Sequence, residues 1–395
     1  MFAVLTSARK VLWRVVALFS ILVLASCEAI PVAGGGGGKG QRVDPGAPVP
    51  VALLVPRGGG NSGDDALARS LENAARLAIA DLQGVDVDLR VYGTAGNAAQ
   101  AQQSAMQAIS DGAKIILGPV YAESANAVAV AAAPRSVNVL SFSNNTTIAD
   151  GNLWVLGPTF QNTANRLVSY ARGQGKSRFM VVHADDVSGQ LGNQAIQQAV
   201  SRSGGSIVGT VSHEFSQEGV VSAVPRIVST ARDGDADAIF MTANSAGALP
   251  LLTQMLPEAG LGPDVTQYIG LTRWDVPAQT LDLPGVQNGW FATPDPSKTA
   301  AFRSRYQAAN GEAPHPIAGL AYDGIAAIGA LASRGRQDAL SASSLTQGAG
   351  FEGTGGIFRL RADGTNERGL AVATIRNRQV VVIDPAPRAF GGAGS

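Results

Sequence analysis

Between residues 51 and 145 short apolar runs alternate with helical periods, and this alternation restricts the fold more than any other feature of the chain. Residues 51–55, 87–92, 115–117 and 137–140 read as strands. In the first interval Leu67, Leu71, Ala74, Ala75, Ala78 and Leu82 keep one apolar helix face, starting near Asp64 or Asp65 and ending at Gly84, with Glu72 and Arg76 as an i,i+4 pair outside. Strands separated by helices of this length run parallel, because a parallel connection needs a crossover, and the sheet is then covered on both faces. The class is α/β. Open parallel sheets bind ligands at the carboxyl ends of adjacent strands. The Gly118-Pro119 turn and the polar loop Ser141-Phe142-Ser143-Asn144-Asn145 are therefore expected to form one wall of a cleft.

A second series follows the same plan. Helices are expected at 163–172, 187–203, around 221–231 and at 247–255, and strands at 179–183, 207–211, 238–241 and 268–271. Gly173, Gly204 and Gly260 sit where helix C-caps belong, and Pro225 is expected in a first turn or at a kink. Beyond it lie a strand at 289–292, helices at 298–310 and 316–333, and a strand pair within 351–383 turned at Asp363-Gly364. With 395 residues the chain exceeds what one core organises, so two lobes are expected. The first takes 50–158 plus 289–345 and the second 159–288 plus 346–385, with 386–395 a disordered tail.

Thirty basic residues balance thirty acidic ones, so no net field attracts nucleic acid or an anionic surface. The single cysteine, Cys27, excludes disulfides and cysteine-rich metal sites. It closes a segment with a basic start (Arg9, Lys10, Arg14), an apolar run at 15–24 and small residues Ala25-Ser26, the pattern of a secretory signal. The run is about half of the roughly 20 residues a membrane span needs. Leu24-Ala25-Ser26-Cys27 resembles the bacterial lipoprotein lipobox, which implies that residues 1–27 are a signal ending in a lipidation motif, and 28–49, with five consecutive glycines, are expected to be a flexible tether of about 80 Å reach.

No catalytic constellation is legible. Gly58-Gly59-Gly60 follows a strand and opens a helix, but it lacks the spacing of a phosphate loop, and Asp64 and Asp65 would repel a phosphate. His183, His213 and His315 belong to no metal motif; His183, beside Asp185-Asp186, reads either as a cleft residue or as a satisfied buried histidine. No G-x-S-x-G is present. Neither an enzyme nor a cofactor is expected. Ser141, Ser143, Asn144, Asn145 and Thr146 are neutral donors and acceptors suited to a small polar ligand, or to an ordinary turn.

Ile116-Leu117-Gly118-Pro119, the 141–146 loop, Ala321-Tyr322-Asp323 and the run Phe351-Glu352-Gly353-Thr354-Gly355-Gly356-Ile357-Phe358 resemble the Leu/Ile/Val-binding family of type I periplasmic binding proteins, over roughly residues 51–383. The resemblance implies two Rossmann-like lobes with parallel sheets, three crossovers and a ligand in the interlobe cleft. Rough alignment puts Ala122, with Tyr121 and Ser124 nearby, where amino-acid receptors hold a serine, and Asn145 at their threonine. Asn244 or Ser245 falls at a second-lobe tyrosine, and Thr272 at the acidic residue that receives the ligand ammonium. Asp185, Asp186 or Asp275 would then have to supply that charge, because a buried ammonium without a partner is costly.

With its lipidation motif and tether the chain also resembles the lipoproteins known as penicillin-binding-protein activators. That likeness implies a regulator of a peptidoglycan synthase, facing the periplasm from a lipid on Cys27 in the outer membrane. The alternative is the binding subunit of an ABC importer, partnered by a permease and carrying an amino acid or a related small polar ligand.

Overall fold

Val51, Leu53 and Val55 turn to one side of the first strand, Ala52 and Leu54 to the other, and all five are buried, as a strand covered on both faces requires. In the computed structural model, which describes residues 40–391, this strand, β1 (Val49–Val55), belongs to a five-stranded parallel sheet. The order is β2 (Val87–Gly93), β1, β3 (Ile115–Leu117), β4 (Asn138–Ser141) and β5 (Leu153–Val155). Helices α1 (Ser62–Asp81) and α9 (Gly319–Ala332) supply side chains to the core on one face, and α2 (Ala98–Ser110) and α3 (Ala122–Ala132) to that on the other. Gly324 lets α9 approach the sheet, since a Cβ there would lie 2.3 Å from Leu117 Cδ1.

The second lobe repeats the layering. Strands β7 (Ser206–His213), β6 (Arg178–Ala184), β8 (Ala238–Met241), β9 (Gln267–Gly270) and β10 (Trp290–Thr293) run parallel in that order, and β14 (Ala371–Arg376) and β15 (Gln379–Asp384) extend the sheet antiparallel. Helices α4 (Phe160–Gly173) and α5 (Val187–Arg202) cover one face, α6 (Gln217–Asp233) and α7 (Leu249–Glu258) the other. Helix α8 (Pro296–Asn310) returns to the first lobe, where Tyr306 is buried, and the short α10 (Ala342–Leu345) follows α9. Strands β11 (Phe351–Gly353), β12 (Gly356–Leu360) and β13 (Asn366–Arg368) form a small antiparallel sheet whose Phe351, Phe358 and Leu360 join the first-lobe core. The chain thus crosses between lobes at 156–159, 294–295 and 369–370, matching the three crossovers the resemblance implies.

Several expectations are corrected. Residues 290–293 belong to the second sheet and 351–368 to the first lobe, because strand partners and core contacts come from distant segments that local pattern does not specify. The presumed tether does not extend to 49: Val43 is buried in the first-lobe core and its N–H donates to Gln337 O. Cys27 and residues 28–39 lie outside the described residues. The tail packs as far as Phe390, which lies under the Arg359 guanidinium at 4.5 Å. Helix α1 is capped by Asn61, not by Asp64 or Asp65, and ends at Asp81. Gly175, not Gly173, takes the left-handed conformation after α4. Of the two places expected for Pro225, the first turn is excluded: the proline sits in the middle of α6, which starts at Gln217 behind the Ser216 cap.

Candidate functional site

Parallel strands place their carboxyl ends along one edge of each sheet. Strands β5 and β10 both leave their sheets at that edge and pass within four residues into the other lobe. The two carboxyl edges therefore face each other across the crossings. The loops after β1, β3 and β4 form one wall of the cleft, and those after β6, β8 and β9 the other.

The crossings are held by a buried polar network. Arg368 donates from Nη1 to Asp323 Oδ2 at 3.1 Å and from Nε to Leu156 O at 3.1 Å. Asp323 also accepts from Thr354 N at 2.7 Å and Thr354 Oγ1 at 3.0 Å. Asn366 donates to Val155 O and Gly157 O, each at 2.8 Å, and accepts from Asn162 Nδ2 at 2.6 Å. Asp295 N donates to Gly355 O at 2.8 Å, so the middle crossing is tied to the β11–β12 turn. The sequence marked Asp323 and the 351–358 run as signs of the fold; Asn366 and Arg368 gave no local signal.

On the first-lobe wall most expected hydroxyls serve the loop itself. Ser141 Oγ donates to Pro119 O at 3.0 Å and accepts from Ser143 N at 3.0 Å. Ser143 Oγ accepts from Asn145 N at 3.1 Å, and Asn145 Oδ1 accepts from Thr147 N and Oγ1. Ser124 shares the buried face of α3 with Ala125 and Val128, which takes it away from the cleft surface. Tyr121 is exposed and donates its hydroxyl to Asp64; that hydrogen bond, followed by burial, raises the phenol above its ordinary value of 10.0. Ala122 opens α3, and Tyr121 before it makes no side-chain cap, whereas α1 and α2 are capped by Asn61 and Asn97. The first-turn N–H groups of α3 are thus open to an acceptor. Asn144 is exposed. In the glycine loop, Gly58 N donates to Asp65 Oδ1 at 3.3 Å, so a carboxylate already occupies a donor that a phosphate would need.

The second-lobe wall behaves similarly. Thr272 Oγ1 donates to Ala243 O at 2.9 Å and Ser245 Oγ to Val276 O at 3.2 Å. Exposed Asn244 turns Oδ1 back to accept from Ala246 N at 3.1 Å. Asp275 is paired with Arg273, and Asp186 caps α5 through Gly189 N. Asp185 is exposed and accepts a single long bond, 3.3 Å from Gln190 Nε2. His183 is buried, with Nδ1 2.8 Å from Ala184 O and Nε2 3.5 Å from Asn193 Nδ2, which answers the alternative in favour of a satisfied histidine. Among the described residues no group of three His, Cys, Asp or Glu side chains is placed to hold a metal.

A cavity of 1220 Å³ opens beside this cleft. Asn144 and Asn145 of the first lobe line it, together with α4, α5 and the β12–β13 hairpin, whereas Tyr121, Asn244, Ser245 and Thr272 do not. Its composition was invisible in sequence because its walls come from segments about 200 residues apart.

Compared with known proteins, the chain matches the family model described as periplasmic binding protein over residues 48–379. No curated protein matches it. Among solved structures it is similar to a branched-chain amino acid ABC transporter protein from Rhodospirillum rubrum, at 18% identity, 85% and 100% coverage of the two chains, and TM-score 0.72. It is similar to an ABC transporter substrate-binding protein from Desulfitobacterium hafniense in complex with Leu, at 17% identity, 85% and 100% coverage and TM-score 0.61. A solute-binding protein from R. palustris in complex with benzoate gives 16% identity, 88% and 98% coverage and TM-score 0.55. The family match spans most of the chain and the structural likeness reproduces both lobes, so the chain belongs to the periplasmic binding protein family.

Proposed function

We infer that the protein is the solute-binding subunit of an ABC importer, non-enzymatic, working on the periplasmic side and held to a membrane by a lipid on Cys27. The observation that carries this reading is the pair of carboxyl edges facing each other across three short crossings, with an uncapped helix start on one wall and, on the other, a carboxylate without an ion-pair partner among the described residues. The ligand class follows from those groups. Leucine and benzoate, bound by two of the similar proteins, share a carboxylate. The uncapped first turn of α3 offers N–H donors to such a group, while the exposed Glu123 carboxylate in the same turn offsets the positive helix end. Asp185, whose carboxylate has no ion-pair partner among the described residues, is the acceptor for a ligand ammonium on the opposite wall.

A thermal-shift panel of branched-chain amino acids and aromatic carboxylates tests this. A ligand at 100 times its Kd adds about 2.7 kcal/mol to stability. The expected result is a raised melting temperature with at least one member, and loss of the amino-acid response but not the plain-carboxylate response in Asp185→Asn. No shift across the panel would overturn the importer reading.

One observation favours a second reading, a lipid-anchored regulator of a peptidoglycan synthase: the hydroxyls of Ser143, Ser245 and Thr272 are consumed within their own lobes. A silent panel, outer-membrane fractionation and co-purification of a synthase would together select it.

A further inference from the structure

The 1220 Å³ cavity exceeds the roughly 300–1,000 Å³ of ordinary small-ligand pockets, and its outline is a trough. One side is a stripe of α4, Gln161, Asn165, Ser169 and Arg172, residues three or four apart and hence on one helix face. The facing stripe of α5 is Leu191, Gln194, Gln198 and Arg202, with Ala195 and Ala199 as a floor of small side chains. From Ser188 to Ser203 the trough follows α5 for about 22 Å at 1.5 Å per residue. That length fits about six residues of extended chain at 3.4 Å each.

The chemistry is graded along its length. At the interlobe end Val187 and Leu191 are 75% and 39% exposed. In the middle stand amides, each offering donors and an acceptor of the kind an extended main chain pairs with. Gln161 Nε2 already donates to Asn165 Oδ1 at 2.8 Å and across to Ala195 O at 3.2 Å, which leaves its acceptor, whereas Gln198 holds only a 3.4 Å contact from Arg202. At the far end Arg172 and Arg202 have no ion-pair partner among the described residues, whereas Arg361 at the opposite end is paired with Glu367. Phe160 is the sole aromatic in the lining, so there is no stacking platform for a sugar.

We propose that this trough is a second binding site, bordering the cleft but distinct from its α3 and Asp185 groups, for an extended acidic peptide of about six residues at 3.4 Å each, with an apolar residue near Leu191 and carboxylates at Arg172 and Arg202. Asn144, Asn145 and Thr146 come from the other lobe, so occupancy of the trough is linked to the lobe arrangement.

The test uses two fluorescein-labelled hexapeptide pools, one ending in two glutamates and one in two lysines, read by fluorescence anisotropy on the folded protein. The acidic pool is expected to bind with an affinity that falls with salt, and the lysine pool is not. Arg202→Glu, at an exposed position, should weaken binding at least tenfold, and Gln194→Trp should block the trough. Both variants should keep the wild-type melting temperature and its response to the cleft ligand panel, which separates this proposal from the importer reading. Equal binding of the two pools, no binding of either, or acidic binding untouched by Arg202→Glu would overturn it.

Discussion

Asp323 shows how far a single residue can be understood from its neighbours. Its side chain is 1% exposed and that of Arg368 is 10% exposed, so the ion pair between them lies out of water and close to the crossings. Breaking such a pair from one side strands the other charge and costs about 3–5 kcal/mol, whereas replacing both partners with apolar groups costs much less. Asp323→Ala is therefore expected to lower the unfolding free energy by that order, read as a lower urea midpoint at unchanged slope, and Asp323→Leu with Arg368→Met to recover part of the loss. Recovery should be incomplete, because Arg368 also holds Leu156 O. If the double variant is as unstable as the single one, the ionic origin of the effect is wrong. The sequence carried Asp323 within Ala321-Tyr322-Asp323 but not its partner, since the pair spans 45 positions and no local period links them. The cleft hydroxyls were legible for the same limited reason. Composition gave Ser143, Ser245 and Thr272, while their engagement with backbone carbonyls and N–H groups depends on loop geometry.

At the scale of elements, apolar period located buried faces better than ends. In α6 the buried residues Val220, Ala223, Val224, Ile227, Val228 and Ala231 keep helical spacing, yet the first turn, Gln217 and Glu218, is polar and adds nothing to the apolar period. Its start is set by Ser216, whose Oγ accepts from Gly219 N at 3.0 Å, a capping bond that hydropathy does not register. Strands β11 and β13 have three residues each, too few to show alternation, which is why 351–383 was read as one strand pair. Correct placement of α6 gives Pro225 a consequence. It is exposed, inside the helix, and has no N–H for the preceding turn. Proline in a helix interior is about 3 kcal/mol worse than alanine. Stiffening of the unfolded chain by proline returns about 0.4–1 kcal/mol, and a relaxed backbone around the ring returns part of the rest. Pro225→Ala is expected to stabilise the protein by roughly 1–2 kcal/mol, seen as a higher urea midpoint with an unchanged slope. An unchanged or lower midpoint would mean that the backbone around Pro225 carries no strain that alanine relieves.

For the whole molecule, the sequence disclosed two α/β lobes but not how the chain is shared between them. The strand at 289–292, expected in the first lobe, belongs to the second, and only its pairing with β9 and β14 reveals that membership. That shared arrangement is what permits motion. The three crossings, 156–159, 294–295 and 369–370, lie at the facing sheet edges and are short. Three short strands of backbone close together resist sliding of one lobe over the other but permit bending about the line through them, which is the geometry of hinge closure. In the proposed binding mode, a ligand held by α3 on one wall and Asp185 on the other gains its second set of contacts only when the lobes approach, so it favours the closed arrangement by its differential affinity. Small-angle X-ray scattering should accordingly give a smaller radius of gyration with the ligand that produces the largest thermal shift. The decrease should vanish in Asp185→Asn when that ligand is an amino acid, because contact with the second wall is then lost while first-wall contacts persist. A ligand that raises the melting temperature but leaves the radius of gyration unchanged would mean that binding is confined to one lobe, and the crossings would then be connections without a hinge function.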